Sequence, residues 1–282
     1  MKTSVSYYSF GKLVRPDQLG CLGIIEKAKE IGFDGFEFTD CSWICDPENA
    51  KKVKAKCEEL DMTPVALCMG ANFLTSNLDD EIANAKAMVD ICVAMGSNLL
   101  RHDITNGYPN DVKLGRSYDC IIPKVVDAIR EVTKYAEQKG VRTCTENHGF
   151  FSQDAARVEK LVNAVNHPNF GVLVDIGNFM CADEDPVKSV GILAPYAIHA
   201  HAKDFHWKSG MDVDPGEGWF RTRAGNYLRG AIIGHGDAKA YQSIQTLKRA
   251  GYDGFITIEF EGMEDNIVGL ENGLANLKRF IG

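Results

Sequence analysis

The sequence predicts an α/β fold, a (β/α)8 TIM barrel that spans residues 1–282 as one domain. The chain has 282 residues, of which 45% are hydrophobic, and this is enough for one large core. Eight short apolar segments alternate with stretches of helical periodicity, which favours a barrel. An open doubly wound sheet is the alternative. It would more often carry a glycine-rich phosphate loop after its first strand, where this chain has only Gly11.

A junction of helix, glycine and strand recurs along the chain. It is clearest over residues 30–36 and 249–255, and weaker copies are centred on Gly96 and Gly140. A glycine just past a helix can adopt the left-handed conformation that closes the helix end. The predicted strands are Ser4–Ser9, Gly35–Thr39, Pro64–Met69, Asn98–Asp103, Arg142–Asn147, Gly171–Asp175, Ala197–Lys203 and Phe255–Phe260.

Helices are predicted between these strands. Apolar residues spaced by three and four indicate amphipathic helices over 125–136 and 267–281. Pro47 and Pro186 fit first helical turns, where no backbone N–H is needed. The connection 204–238 is far longer than a usual βα loop and carries aromatic and arginine side chains. It is predicted to be a lid in which Arg223 contacts the substrate; a subunit contact or a non-functional excursion is the alternative.

Composition and charge narrow the class of partner. The formal net charge is −8 and the sequence pI is near 5.4, so an acidic surface is expected to repel nucleic acid. No apolar run is long enough for a membrane span, and the first 13 residues lack a signal-peptide pattern. The nine cysteines are odd in number and irregularly spaced, as expected for a reducing cytoplasm.

Ionisable side chains concentrate at one end of the predicted barrel. Six of the seven histidines fall at or after the C-terminal ends of strands, the end where barrel enzymes carry their active sites. Glu146, Asp175 and Glu259 end strands 5, 6 and 8, and His201 lies in strand 7. Buried charges are costly unless they are paired or bind metal. For Glu146 the structural alternative is a salt bridge to an arginine, and for Asp175 it is a helix cap.

One imidazole with three carboxylates suits a single hard or borderline divalent ion. Mn²⁺ is expected, with Mg²⁺, Co²⁺ or Zn²⁺ as alternatives.

Four short strings carry a family resemblance. The chain resembles the sugar phosphate isomerase/epimerase superfamily of xylose-isomerase-like TIM barrels, and the likeness covers essentially its whole length. The strings are Glu146-Asn147-His148-Gly149, Val174-Asp175-Ile176-Gly177-Asn178, His199-Ala200-His201-Ala202-Lys203-Asp204 and Ile258-Glu259-Phe260-Glu261-Gly262.

The resemblance implies a ligand set and a chemistry. Glu146, Asp175, His201 and Glu259 would be the metal ligands. Glu146 and Glu259 would also be the catalytic pair, moving a proton on opposite faces of a substrate through an enediolate.

This chain departs from the ketose epimerases at two positions, with Asn178 in place of histidine and Trp207 in place of arginine. The predicted substrate contacts are His148, Asn178, Glu37, His102, Lys203 and Arg223.

These observations favour an isomerase or epimerase that acts on a ketose or keto-polyol, a small-molecule carbohydrate. The alternative is a lyase or dehydratase acting on a keto-sugar, keto-inositol or oxidised glycoside. A DNA-repair endonuclease is disfavoured by the acidic charge, and a non-catalytic sugar-binding barrel by the intact ligand set. The resemblance also implies a homo-oligomer.

Overall fold

Eight parallel strands close into a barrel, which confirms the predicted fold. The computed structural model describes residues 1–13, 19–39, 41–108 and 111–282. Its strands are β1 (Lys2–Ser6), β2 (Gly35–Thr39), β3 (Thr63–Met69), β4 (Leu99–His102), β5 (Arg142–Glu146), β6 (Phe170–Asp175), β7 (Ala197–Ala202), β8 (Asp204–Lys208), β9 (Phe220–Arg221), β10 (Tyr227–Ala231) and β11 (Phe255–Ile258). The barrel consists of β1 to β7 and β11, each paired with its neighbour along the chain.

Helices cross between the barrel strands. They are α1 (Gly20–Ile31), α2 (Pro47–Glu59), α3 (Leu78–Met95), α4 (Tyr118–Gln138), α5 (Ala155–Val165), α6 (Asn178–Cys181), α7 (Pro186–Leu193), α8 (Ala240–Arg249) and α9 (Asn266–Ile281). Gly32 closes α1 with φ 103°, as the recurring junction predicts. Within the described ranges, no helix has both the length and the apolarity needed to cross a membrane.

The described residues form two apolar cores, one outside the barrel and one inside it. The larger apolar core lies between strands and helices, and it includes Ile129, Val132 and Leu270. A smaller apolar cluster fills the inside of the barrel, and it is made of Val65, Ala66, Cys68, Leu99, Cys144 and Leu173. Side chains two residues apart on a strand share one face, so the next inward-facing residue on several strands is polar and lies above this apolar cluster. The cluster is therefore the floor of a polar layer at the C-terminal end of the barrel.

The long connection after β7 is not a plain loop. Strands β8, β10 and β9 form a small antiparallel sheet in that order. At its base, the buried Asp204 carboxylate accepts backbone N–H groups of Gly234, Gly236 and Ala238 at 2.8–3.0 Å. A Cβ atom at Gly236 would lie 2.3 Å from Asp204 Oδ1, so only glycine fits there. One side chain thus joins the start of the connection to its end.

Candidate metal centre and active site

The four residues predicted as metal ligands converge at the C-terminal end of the barrel. Their ligand atoms all lie within 4.8 Å of one another. His201 Nδ1 lies 3.8 Å from Glu146 Oε1, 3.7 Å from Asp175 Oδ2 and 3.8 Å from Glu259 Oε2. Atoms bound to one ion at about 2.0–2.2 Å have separations of this size. These separations are therefore compatible with one ion bound by all four residues.

Two atoms of this cluster lack the hydrogen bonds that buried polar atoms normally make. His201 Nδ1 and Asp175 Oδ2 are buried without a hydrogen-bond partner among the described residues. Leaving such atoms unpaired costs free energy. A cation between them would satisfy both, and three carboxylates supply the negative charge that it needs. The residues present therefore fit a divalent metal ion.

Glu37 lies beneath the cluster and holds the ring of His201, the predicted histidine ligand. Its carboxylate is fully buried and lies 3.0 Å from His201 Nε2 and 2.8 Å from His199 Nε2. Hydrogen bonding at Nε2 leaves Nδ1 as the atom directed at the centre. Burial would raise the pKa of Glu37, but the charges and hydrogen bonds of His201 and His199 outweigh it and lower the pKa below its usual range. Glu37, predicted from sequence as a substrate contact, is thus placed below the pocket as a positioning residue.

A guanidinium group lies against the first glutamate. Arg101 Nη2 lies 2.7 Å from Glu146 Oε2 and 2.9 Å from Asp103 Oδ1. The Arg101 contact is the salt bridge considered as the alternative role of Glu146. It occupies Oε2, however, and leaves Oε1 facing His201. Both roles of Glu146 are therefore compatible.

Lys203 is the second buried cation at the centre. Its Nζ lies 2.5 Å from Glu259 Oε2, 3.0 Å from Glu261 Oε1 and 3.5 Å from Asp175 Oδ2. Burial would lower the pKa of Lys203, but Glu259 and Glu261 raise it well above its usual value. The lysine is therefore a fixed positive charge beside two ligand carboxylates.

A cavity of about 310 Å³ opens above the centre; we call it the metal pocket. Its size is at the lower end of the range for small-molecule sites. It is lined by Tyr8, Thr39, Cys68, Gly70, Arg101, Asp103, Glu146, His148, His201, Lys203, Glu259 and Glu261.

Of two further residues predicted as substrate contacts, His148 lines this pocket and Asn178 does not. His148 Nδ1 lies 2.9 Å from Asp103 Oδ1. Burial would lower the pKa of His148, but the hydrogen bond to Asp103 and the charge of Glu146 raise it. Asn178 is buried behind the wall, where it donates to Glu146 Oε1 at 2.9 Å and accepts from Lys203 at 3.3 Å. Asn178 therefore holds two pocket side chains in place.

The structure places the two remaining predicted contacts away from the pocket. His102 is fully buried on the outer face of β4, with its ring centroid 5.4 Å from that of Phe73 and 5.9 Å from that of Phe170. Burial lowers its pKa to about 4, so the ring is neutral. Arg223 forms an ion pair with Asp154, which ties the connection to the loop before α5. Neither residue is brought to the ligand cluster.

Arg101, Asp103, Glu261 and Tyr8 line the pocket but were not predicted as site residues. The alternation of side chains along β4 could have identified the first two. Arg101 and Asp103 share the inner face, whereas the intervening His102 faces outward. His102 has the chemistry of a site residue, but its place in the strand directs it away from the pocket.

Known proteins resemble this chain in both sequence and fold. Residues 25–280 match the family model described as xylose isomerase-like TIM barrel. Inosose dehydratase 1 of Bacillus cereus is 27% identical over 141 residues, which span 49% of this chain and only 46% of that relative.

Two solved structures share the fold. The IOLI protein with a bound zinc atom has a TM-score of 0.77 and 17% identity, over 100% of this chain and 98% of that one. The 3-keto-D-glucoside 4-epimerase of E. coli has a TM-score of 0.73 and 16% identity, over 99% of each chain. Since the family model matches 256 of the 282 residues, the chain belongs to the xylose isomerase-like TIM barrel family.

Proposed function

We propose that this protein is a metal-dependent isomerase or epimerase that moves a proton beside the carbonyl of a ketose or keto-polyol. The observation that carries the proposal is that two buried atoms of the ligand cluster, His201 Nδ1 and Asp175 Oδ2, have no hydrogen-bond partner among the described residues. Mn²⁺ is the proposed ion, because carboxylate oxygens dominate the set; Mg²⁺, Co²⁺ and Zn²⁺ are the alternatives.

The two glutamates of the cluster are proposed as the proton-transfer groups. When bound, a divalent ion polarises the substrate carbonyl and favours the enediolate. Glu146 comes from β5 and Glu259 follows β11, so they approach the pocket from different strands. Arg101 lies 2.7 Å from the Glu146 carboxylate and Lys203 lies 2.5 Å from that of Glu259, so each proposed proton-transfer group is held by a buried cation.

A dehydratase is the second candidate, and the paired His148 and Asp103 favour it. Elimination of water requires a proton donor for the departing hydroxyl in addition to the base. Asp103 binds His148 Nδ1 at 2.9 Å and leaves Nε2 for that role, and the raised pKa of His148 keeps more of the ring protonated. The resemblance to an inosose dehydratase over about half of each chain supports the same candidate.

Proton NMR in D2O distinguishes the two reactions. The metal-loaded protein is incubated with a panel of ketoses, keto-inositols and 3-keto-glycosides. Deuterium at a carbon beside the carbonyl, with the mass otherwise unchanged, establishes isomerase or epimerase chemistry. Loss of water or of another leaving group establishes the lyase reaction. A His148→Gln variant that retains exchange but loses elimination would assign the donor role to that ring.

Replacing either proposed base is expected to abolish turnover. Glu146→Gln and Glu259→Gln should each lower kcat by roughly 10²–10⁴-fold, the usual contribution of a positioned acid or base. Glu58→Gln, on the exposed side of α2, is the control and should retain the wild-type rate. Wild-type exchange in either active-site variant would remove that glutamate from proton transfer.

The remaining predictions concern the setting of this site. The role of 204–238 as a lid is a proposal, and none of its residues is among those lining the metal pocket within the described ranges. A homo-oligomer, the cytoplasmic location and the absence of nucleic-acid partners likewise stay predictions.

A further inference from the structure

A second cavity lies beside the metal pocket; we call it the side cavity. Its volume is about 450 Å³, larger than the 310 Å³ of the metal pocket. The two share Tyr8, Thr39 and Glu261 as lining residues, so they form one continuous recess with two compartments. The proposed proton transfer uses only the first compartment.

Aromatic side chains form part of the side cavity's wall. Tyr7 and Tyr8 come from the 3₁₀ segment that follows β1, and Phe260 comes from the segment after β11. Tyr8 stands at the border of the two compartments and is 52% exposed, so its ring is available to a ligand. An aromatic ring offers an apolar face to the C–H surface of a sugar ring, and the phenol adds a polar group at its edge.

The polar part of the wall contains two carboxylates beside Thr39 and Asn266. Glu264 lines the side cavity, and its Oε2 is buried without a hydrogen-bond partner among the described residues. Glu261 stands at the border, where Lys203 engages its Oε1. Ionised carboxylates only accept hydrogen bonds, and each offers several acceptor positions. Hydroxyl groups therefore complement this wall, whereas a phosphate or carboxylate would be repelled.

A short chain of contacts links the two compartments. Lys203 Nζ lies 2.5 Å from the ligand carboxylate of Glu259 and 3.0 Å from Glu261. The border of the side cavity is therefore one lysine away from the metal centre. A substrate held at the centre and extended past Glu261 and Tyr8 enters the side cavity directly.

From this arrangement we infer that the side cavity binds a second, neutral, polyhydroxylated ring joined to the keto-sugar at the metal centre. The preferred substrate is then a keto-glycoside of at least two rings, rather than a free or phosphorylated ketose. The assignment of the keto ring to the metal pocket rests on the proposed function. Binding of the neutral ring itself rests only on the walls of the side cavity.

The test compares one-ring and two-ring substrates. Deuterium exchange or elimination is followed with 3-keto-glucose and with 3-keto-cellobiose, and the ratio of their kcat/KM values is taken. We expect the two-ring substrate to be favoured, and Glu264→Gln or Tyr8→Ala to lower the ratio about tenfold, as for loss of one good contact. Glu271→Gln, an exposed position on α9, is the matched control and should leave the ratio unchanged. A ratio that neither variant lowers would overturn the inference.

A binding measurement separates this inference from the proposed function. Methyl β-D-glucopyranoside is titrated into ¹⁵N-labelled metal-loaded protein, and shifts are expected at the amides of Tyr8 and Glu264. They should weaken in Glu264→Gln and persist in Asp175→Asn, which disrupts the metal centre. Such binding without any turnover would refute the proposed reaction and leave the side cavity as a glycoside site. Absence of shifts at both amides, with exchange of 3-keto-glucose intact, would refute the side cavity alone.

Discussion

At the scale of single residues, the site depends on hydrogen bonds made one layer below the ligands. Glu37 binds both His201 and His199 through their Nε2 atoms, inside a barrel where water cannot replace it. The His201 ring is thereby held with Nδ1 facing Glu146, Asp175 and Glu259. If the proposed metal binds at this cluster, its affinity should therefore depend on Glu37.

Weakening that layer is expected to lower metal affinity. Glu37→Gln removes the charge that the imidazole ligand donates to, and partners of this kind typically contribute 10- to 100-fold in affinity. Metal titration followed by calorimetry should show a loss of roughly that size with the circular dichroism spectrum unchanged. Glu30→Gln, an exposed position on α1, is the control. Unaltered affinity in Glu37→Gln would contradict the orienting role.

A second prediction concerns a thiol outside the metal centre. A hydrogen bond from Cys21 is the main cause of a pKa lowered to about 5 at Cys41; partial burial opposes this shift and the backbone at Ile44 and Trp43 supports it. The thiolate is therefore present above about pH 5 and is lost as the pH falls through that value. Iodoacetamide labelling read by peptide mass spectrometry should show this midpoint, far below the value of about 8.5 for a free thiol. Cys21→Ala should move the midpoint upward, and a wild-type midpoint near 8.5 would exclude the shift.

The sequence predicts much of the site and misses some residues for an identifiable reason. Glu146, Asp175 and Glu259 are conspicuous because charges at strand ends require a partner. His102 shows the limit of that reasoning, since the next residue along the pleat faces the opposite side. The contacts of Tyr8 and Glu261 depend on how separate strand ends meet, which no local pattern contains.

At the scale of elements, the small sheet of the connection is anchored at its turn as well as at its base. Asp183, in the left-handed region at φ 59°, accepts hydrogen bonds from Thr222 Oγ1 at 2.7 Å, Ala224 N at 2.6 Å and Asn226 Nδ2 at 2.9 Å. The turn between β9 and β10 is thus fastened beside α6. The strands of this small sheet are short and lack a regular alternation of apolar and polar residues, so the sequence alone indicates only a long loop.

Removing this anchor is expected to loosen the small sheet and leave the barrel intact. Asp183→Ala removes three hydrogen bonds and places alanine at a positive φ, so the turn should lose about 1–3 kcal/mol. Hydrogen–deuterium exchange should accelerate over 220–231 and stay unchanged in β4 to β6. Asp212→Ala, an exposed position in the same connection, is the control. Uniform acceleration across the barrel would show that the anchor supports the whole fold.

At the scale of the whole molecule, folding places several carboxylates at one end of the barrel. Glu146, Asp175 and Glu259 face one another there, with Arg101 and Lys203 as nearby cations. The apolar floor below cannot compensate these charges. The eight-strand pattern predicts the barrel well, because each unit repeats the same junction. The balance of charge at its end depends on all the strands together.

Metal binding is therefore expected to stabilise the whole fold. At an ion concentration about 100 times Kd, linkage predicts about 2.7 kcal/mol, or a Tm increase of roughly 4–5 °C for a chain of this size. Calorimetry of the EDTA-treated protein, with and without Mn²⁺, measures the shift. Asp175→Asn should abolish it. An equal increase in that variant would place the stabilising ion elsewhere.

Asp204 holds the two ends of the long connection together, so the sequence at the tip of the connection is free to vary. Because one carboxylate holds both ends of the segment, the span between β7 and α8 stays fixed whatever lies in between. We therefore expect that changes of length or sequence between 209 and 218 leave His201 and Lys203 in place. The tip of the connection can therefore acquire new binding surfaces during evolution. The residues of the predicted metal site would keep their positions.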